Sequence, residues 1–375
     1  MEKCYEHTTD LHMLFIDFRQ AFDSVYKDGL YWYMKQKGVP DKLVRLIKMT
    51  LEDARAKVLV DGKSGEEFAL TRGVRQGDAL SATLFNIALQ RVLEQVVDTG
   101  SIIYKSRQVC AYADDVVLIS RNKQQLREML IQVRTEGKKM GLEINEDKTK
   151  YMKMATKGER SPATNLIIGD MTFTSVQNFS YLGADVNNAN KTSEEINKRI
   201  MAGNRAYYAN IKLITSRSLS RATKLKLYKT LIRPVVTYGT ETWNISVSDA
   251  NKLRIFERKI IRRIYGGVNV NDTWRSRTNA EINDILQGED IVRFCKGQRI
   301  RWIGHVERMA EHRVPKKIYR ARMEGRRIQG RPRNRWKDEV EADLRRMGVT
   351  AWRRRAGDRA AWRDTVREAK AHIGL

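Results

Sequence analysis

Cysteine is scarce in this sequence, and long apolar runs are missing from it. The three cysteines among 375 residues, Cys4, Cys110 and Cys295, are too few and too far apart for a disulfide framework and are typical of a reducing compartment. A zinc site on Cys295, His305 and His312 would lack a fourth ligand and has no usual spacing, so we expect packing or surface roles for these residues. The absence of any run of about 18 apolar residues excludes a membrane-spanning helix. The charged first residues do not form a signal peptide.

Acidic residues are much fewer than basic residues in this chain. Lys and Arg number 71 against 45 Asp and Glu, which gives a formal net charge of +26 and a pI near 10.0. A compact protein with this surplus repels itself unless a polyanion neutralises it, and nucleic acid is the usual polyanion. A solvated basic surface without a partner is the alternative interpretation. The surplus is uneven, because residues 291–375 hold 25 Lys and Arg against 10 Asp and Glu. An exposed basic loop is predicted at residues 326–335, before a helix from Trp336.

The spacing of apolar residues predicts two kinds of structure along the chain. Up to about residue 190, short apolar runs alternate with helical spacing in the order β-α-α-ββ-α-ββ-α-β. This order predicts an α+β fold, an antiparallel sheet with helices packed on one face. From Thr192, which is predicted to form a capping box with Glu195, the spacing is helical up to Tyr265. The predicted regions are therefore 1–190, 191–266 and 267–375.

Two adjacent aspartates carry the strongest chemical signal. Asp114 and Asp115 interrupt an apolar run at residues 109–119, which we predict to pair with a strand at residues 102–104. Burying two carboxylates in such a run is costly unless a cation compensates them. If the apolar strand that delivers Asp17 is a neighbour, three carboxylates converge at a site suited to the two divalent ions of phosphoryl transfer. On its own, an Asp-Asp pair more often marks a turn, and an aspartate at the end of a strand is more often a helix cap. The hypothesis of a metal site therefore depends on the three aspartates together.

Five short segments, each present once, follow one another over about 170 residues. They are LFIDFRQAFDSV from Leu14, GVRQGDALS from Gly73, YADD from Tyr112, GLEINEDKTK from Gly141 and FSYLG from Phe179. In this order they resemble motifs A to E of the reverse transcriptases of non-LTR (LINE-type) retrotransposons. A YADD alone occurs by chance, whereas five motifs in order do not. The tail, with RWIGHV at 301–306 and GRPR at 330–333, also resembles the C-terminal region of such elements.

The resemblance implies both an architecture and an activity. Residues 1–190 would form a polymerase palm, 191–266 a helical thumb and 267–375 a basic helical C-terminal region. The implied activity is RNA-directed DNA polymerisation by two-metal nucleotidyl transfer. The metal ligands would be Asp17, Asp114 and Asp115, and the ions two Mg²⁺, with Mn²⁺ as a substitute.

The resemblance also implies roles for residues around these aspartates. Lys148 would protonate the leaving pyrophosphate, and Phe22 would pack beneath the sugar of the incoming deoxynucleotide. By spacing alone, Phe22 could equally be an aromatic residue of the core. Lys148, without the resemblance, would be interpreted as a solvated lysine. The loop against nucleotide and template would include Arg75, Gln76 and Gly77. The primer grip would be formed by Phe179, Tyr181, Leu182 and Gly183.

The sequence departs from the family pattern in three ways. Only 16 residues precede Asp17, Ala82 stands where the family usually has proline, and neither an endonuclease region nor a zinc knuckle is recognisable. We therefore expect a partial copy without fingers and endonuclease. It would act in the nucleus or cytoplasm on an RNA template, a DNA primer and deoxynucleoside triphosphates, with no membrane involved. A catalytically inactive remnant that binds nucleic acid and a relic without a stable fold are the alternatives.

Overall fold

The computed structural model describes residues 1–7, 9–96, 107–154, 164–321, 323 and 335–372. The strands are β1 (His12–Ile16), β2 (Arg55–Val60), β3 (Lys63–Ala69), β4 (Arg107–Tyr112), β5 (Asp115–Ser120), β6 (Lys150–Lys153), β7 (Leu166–Ile168), β8 (Met171–Ser175), β9 (Asn178–Tyr181), β10 (Ala184–Asn187), β11 (Val268–Val270) and β12 (Thr273–Arg275). The helices are α1 (Glu2–Glu6), α2 (Ala21–Ser24), α3 (Lys27–Gln36), α4 (Asp41–Leu51), α5 (Ala79–Leu93), α6 (Lys123–Lys139), α7 (Thr192–Ala209), α8 (Ile211–Thr215), α9 (Arg221–Leu227), α10 (Arg233–Val236), α11 (Val247–Tyr265), α12 (Asn279–Ile285), α13 (Ile291–Arg308), α14 (Val314–Arg320), α15 (Trp336–Arg346), α16 (Trp352–Gly357) and α17 (Arg359–Ala371). A π-helical turn (Tyr228–Ile232) continues α9, and a 3₁₀ turn (Thr240–Thr242) precedes α11. In the described part of the chain, no helix is both long and apolar enough to cross a membrane.

One six-stranded sheet organises the first half of the chain. Its order is β4-β5-β1-β6-β8-β7, and all neighbours are antiparallel except β6 and β8. Strand β1 lies inside this sheet and is buried along its whole length, which explains why its sequence is a continuous apolar run without alternation. The predicted α+β class with an antiparallel-rich sheet is confirmed.

The two faces of the sheet are covered differently. Leu14, Ile16 and Leu118 point to the face on which helices α3 to α6 pack, and they share one core with these helices. Met13, Phe15 and Val117 point to the opposite face, where their core also includes residues of α1 and of the β9–β10 hairpin. The prediction of helices on one face is therefore right for the long helices. The second apolar face is closed mainly by a hairpin, so it is not left open to solvent.

Two predicted elements have different bounds in the structure. The apolar run 109–119 is a hairpin and not a single strand: β4 and β5 pair with each other, and Ala113 makes the turn with a φ of 50°. The strand predicted at residues 102–104 lies outside the described residues, as does most of the predicted basic loop at 326–335. The helix predicted from residue 24 to 37 is divided between α2 and α3, because Val25 is extended and the Tyr26 N–H donates to the Met140 carbonyl at 2.9 Å.

The helical region after residue 191 differs from expectation at its first turn. Thr192 is the first helical residue of α7 and makes no capping hydrogen bond, so the predicted capping box is wrong. Glu195 instead accepts the Asp185 N–H at 2.9 Å and pairs with Arg199, which ties α7 to β10. Helix α13 then joins two cores, since Ile291 and Cys295 pack with α11 whereas Ile300 and Ile303 pack with α15 to α17.

Candidate active site

Strand register brings the three predicted metal ligands to one end of the sheet. Ile16 of β1 pairs with Val116 of β5, so Asp17, one residue beyond Ile16, is next to Asp115, one residue before Val116. Asp115 pairs with Tyr112 across the hairpin, and Asp114 occupies the two-residue turn between them. Backbone pairing between motif A and motif C therefore makes these three residues neighbours at one end of the sheet.

The aspartates at this edge are less buried than the apolar run around them predicts. Asp114 and Asp115 are exposed and Asp17 is half-buried, because the apolar run folds back at the aspartates and leaves them at the tip. Local burial, followed by the charges of Asp114 and Asp17, raises the pKa of the Asp115 carboxyl above its ordinary value. A cation bound at this accessible edge would relieve the mutual repulsion of these carboxylates.

The donor set suits a hard cation, although the side chains do not yet surround a common point. Among the described residues, no three His, Cys, Asp or Glu side chains form a ready-made metal site. Carboxylate oxygens are the ligands that Mg²⁺ and Mn²⁺ prefer, and Mg²⁺ is usually held by one or two carboxylates together with substrate phosphates. The residues present therefore fit such ions, and completing the site would need side-chain movement and the substrate itself.

Motif D lies against Asp17 through backbone hydrogen bonds. The Asn145 N–H donates to the Asp17 carbonyl at 2.8 Å, and the Asp17 N–H donates to Thr149 Oγ1 at 3.2 Å. Lys148, the predicted proton donor, lies between these two contacts, and its side chain is exposed. Its segment is thus held against Asp17, while its side chain is exposed to solvent.

The motif B loop is attached to the turn that follows motif A. Gly73 and Val74 donate backbone hydrogen bonds to the carbonyls of Val25 and Phe22, both at 2.8 Å. Gln76 Nε2 donates to Asp23 Oδ2 at 3.1 Å. At Gly73, where φ is 84°, a Cβ atom would lie 2.6 Å from the Asp23 carbonyl oxygen, so this approach requires glycine.

The predicted nucleotide-contacting residues surround this junction. Phe22 is half-buried and stacks on Phe85 of α5, with ring centroids 4.5 Å apart and planes at 22°. Arg75, Gln76 and Gly77 are exposed. The structure thus combines the two interpretations of Phe22: one ring face packs on the core, and the side chain is still partly accessible.

The predicted primer grip is the β9–β10 hairpin, which lies on the second face of the sheet. Phe179 stacks on Phe15 with centroids 4.1 Å apart, and the Tyr181 hydroxyl donates to the Asp115 carbonyl at 3.2 Å. Leu182 and Gly183 form the turn, with φ of 49° and 74°. The hairpin is therefore in direct contact with the backbone of Asp115, a predicted metal ligand.

Two residues that the sequence did not single out hold the tip of this hairpin. The Tyr238 hydroxyl donates to the Leu182 carbonyl at 2.9 Å, and the Arg199 guanidinium donates to the Gly183 carbonyl. Arg199 also lies over the Tyr238 ring, 4.6 Å from its centroid. No local pattern marks either residue, because each contact joins positions far apart in the chain.

Comparison with known proteins agrees with this geometry. Residues 1–186 match the family model described as reverse transcriptase (RNA-dependent DNA polymerase). This part of the chain belongs to the reverse transcriptase family. The identification made from the five motifs, a reverse transcriptase of the non-LTR retrotransposon type, is thereby confirmed.

Relatives of this reverse transcriptase come from mobile elements. A transposon-derived protein of Caenorhabditis elegans is 26% identical over 267 residues, covering 68% of this chain and 94% of that one. The RNA-directed DNA polymerase from mobile element jockey of Drosophila melanogaster is 27% identical over 277 residues, or 70% of this chain and 29% of that one. The Pol polyprotein of the retrotransposable element R2DM of the same fly is 31% identical over 146 residues, or 38% of this chain and 14% of that one. The chain thus spans less than a third of the jockey and R2DM proteins.

Among solved structures, apo telomerase from Candida tropicalis aligns with 82% of this chain and 53% of its own. The identity is 14% and the TM-score 0.39, which is too loose a superposition to bear on the site.

Proposed function

We propose that this chain performs template-directed DNA synthesis on RNA, with Asp17, Asp114 and Asp115 binding two divalent metal ions. The observation that carries the proposal is the pairing of β1 with β5, which puts the three carboxylates on one edge of a sheet within a reverse transcriptase domain. Bound Mg²⁺ ions would stabilise the attacking 3′-oxygen and the leaving pyrophosphate oxygens.

The surrounding residues position the reactants in this proposal. Phe22, with one face held by Phe85, presents its accessible side to the sugar of the incoming nucleotide. The loop with Arg75, Gln76 and Gly77 lies against nucleotide and template. Lys148, exposed on the segment that contacts Asp17, delivers a proton to the leaving pyrophosphate.

The primer end would be supported by the β9–β10 hairpin with Phe179, Tyr181, Leu182 and Gly183. Helices α7 to α11 would act as the thumb that follows the template–primer backbone. The partners in this proposal are an RNA template, a DNA primer and deoxynucleoside triphosphates, consistent with the net charge of +26. The free cysteines and basic clusters favour an intracellular location, in the nucleus or the cytoplasm.

The test is primer extension by the purified full chain on an RNA template, with Mg²⁺ or Mn²⁺. Asp114→Asn should abolish incorporation and leave nucleic-acid affinity nearly unchanged, because affinity comes mainly from phosphate contacts elsewhere. Asp284→Asn, which removes an exposed carboxylate of α12, is the matched control and should retain full incorporation.

Incorporation by Asp114→Asn at the wild-type level would refute the assignment of the metal ligands. A wild-type chain that folds and binds RNA but incorporates nothing with either ion would instead support the second candidate, an inactive nucleic-acid-binding remnant. That candidate is favoured only by the concentration of basic residues in the C-terminal region.

A further inference from the structure

Helices α13 and α17 enclose a groove of about 970 Å³ in the C-terminal region. The helices approach closely because α13 has glycine where they meet: a Cβ atom at Gly304 would overlap the indole of Trp362. Trp362 is buried and forms part of the groove lining, and its Nε1 donates to the Ile300 carbonyl at 3.1 Å. The groove is therefore built from two well-packed helices with defined side-chain positions.

Positive charge lines both walls of this groove. On α17, Arg359, Arg363 and Arg367 recur every fourth residue, which places them on one helix face. On α13, Arg301 and Arg308 are two turns apart on the facing wall. Arg308 Nη1 donates to the Ala356 carbonyl at 2.6 Å, three residues before Arg359. Partial burial, followed by the charge of Arg359, lowers the pKa of Arg308, consistent with two positively charged walls close together.

These arginines are balanced poorly by acidic groups. Within the described residues, Arg301, Arg359 and Arg363 have no carboxylate within ion-pair distance, and Arg367 pairs only with its helix neighbour Asp364. Elsewhere on α13 the chain does supply a partner: the buried Arg299 pairs with Asp343 at 2.6 Å. The groove, which Glu241 also lines, thus concentrates arginines without an ion-pair partner, and an anionic ligand would relieve their repulsion.

An aromatic side chain lies among these charges. Trp302 is half-buried in the groove lining, and the exposed imidazole of His305 is tilted against it with centroids 5.4 Å apart. Arginine rows alone would suit any polyanion, including a duplex. A tryptophan in a concave site favours unpaired bases, because bases within a duplex already stack on one another and cannot reach it.

We propose that the α13–α17 groove binds a single polynucleotide strand, with phosphates on the two arginine rows and a base stacked on Trp302. The site lies outside residues 1–186, and its occupation does not require DNA synthesis. A test of this groove is therefore independent of a test of the polymerase activity.

The experiment measures binding of fluorescently labelled oligouridylate, about 12 nucleotides long, to the full chain by anisotropy at several salt concentrations. The double variant Arg301→Gln/Arg363→Gln removes one charge from each wall. Its matched control is Arg354→Gln/Arg355→Gln, which removes two exposed arginines of α16 that do not line the groove. Trp302→Leu removes the stacking surface, and Trp302→Phe retains an aromatic ring.

The groove double variant should bind about tenfold more weakly, and its log–log salt slope should fall by about 1.4, since each single-strand phosphate contact contributes about 0.7. The control should stay within about twofold of wild type. Trp302→Leu should lose about fivefold or more in affinity, and Trp302→Phe should recover most of it. Oligodeoxythymidylate as a second probe distinguishes RNA from DNA as the strand.

Equal losses for the groove and control variants would overturn the proposal, because the charge would then act as a diffuse surface. A duplex of the same length that binds more tightly and is indifferent to Trp302→Leu would overturn the single-strand assignment. Competition by an acidic peptide as effective as oligouridylate would overturn it in favour of a protein partner. If Trp302→Leu fails to fold, the arginine pair and its control still decide the question.

Discussion

A buried glutamate in the helical region makes stability depend on pH in a calculable way. Glu257 of α11 is almost completely buried, where it accepts hydrogen bonds from the Tyr228 hydroxyl and the Ile291 N–H, both at 2.7 Å. Loss of hydration raises its pKa from an ordinary 4.5 to about 7, although Tyr228, the Ile291 N–H and Arg233 act in the opposite direction. The folded chain therefore holds a proton that the unfolded chain releases.

The sign and size of the effect follow from this difference in pKa. Because the folded pKa is higher than the unfolded one, Glu257 contributes its full stability below pH 4.5 and loses it as the pH rises to about 7. The complete loss is about 3 kcal/mol, because one pKa unit corresponds to about 1.4 kcal/mol. Between about pH 5 and about pH 8, the loss should be about 2.5 kcal/mol.

Glu257→Gln should remove this dependence, because glutamine has the shape of the protonated acid and can donate to the Tyr228 oxygen. Urea unfolding of both proteins near pH 5 and near pH 8 gives the four free energies required. Comparing wild type with variant cancels the pH dependence of the remaining charges, including the effect of net charge. Hydrogen exchange in α11 and α13 should report the change locally. If both proteins lose the same stability between the two pH values, Glu257 is not protonated in the folded state and the reasoning fails.

Two further predictions concern the catalytic edge. Phe22→Ala should let ribonucleotides compete with deoxynucleotides in primer extension. Unchanged discrimination, with a loss of unfolding free energy toward the lower end of the roughly 3–5 kcal/mol that a buried phenylalanine costs, because Phe22 is half-buried, would leave Phe22 as a core aromatic only. Gly73→Ala should lower the unfolding free energy far more than Gly77→Ala. Both glycines have positive φ, 84° and 88°, but only at Gly73 would a Cβ atom collide with backbone. Urea unfolding of the two variants checks this, and equal losses would show that φ alone matters.

The sequence was most informative where the function depends on short segments. Motif A could be placed on a strand because Leu14 to Ile16 are apolar and end at Asp17, and β1 is that strand. The five motifs also identified the family before any contact between them was known. What they could not supply was the register of β1 with β5, which decides that Asp17 faces Asp115.

Other features were hidden because they depend on pairs of distant residues. The aspartates were expected inside a buried run, whereas the turn at Ala113 exposes them; alanine with positive φ is not a recognisable turn signal. Glu195 has the sequence position of a capping box, yet its carboxylate bonds to Asp185 in the preceding hairpin. The arginine row of α17 can be read from its spacing, but not that Arg301 faces it across a groove.

The β9–β10 hairpin gives these separate regions a mechanical connection. At one end, Tyr181 bonds to the backbone of Asp115, and Phe179 stacks on the strand that delivers Asp17. At the other end, the Leu182–Gly183 turn is held by Tyr238 and Arg199, which belong to the helical region. A displacement of these helices would therefore reach the backbone of Asp115, one of the proposed metal ligands, through a hairpin only ten residues long, Asn178–Asn187. Because the turn is held through its carbonyls, the side chain of Leu182 stays exposed and, in the proposed function, can contact a primer. The coupling thus depends on the backbone geometry that glycine at position 183 permits, and not on the identity of the side chains at the tip.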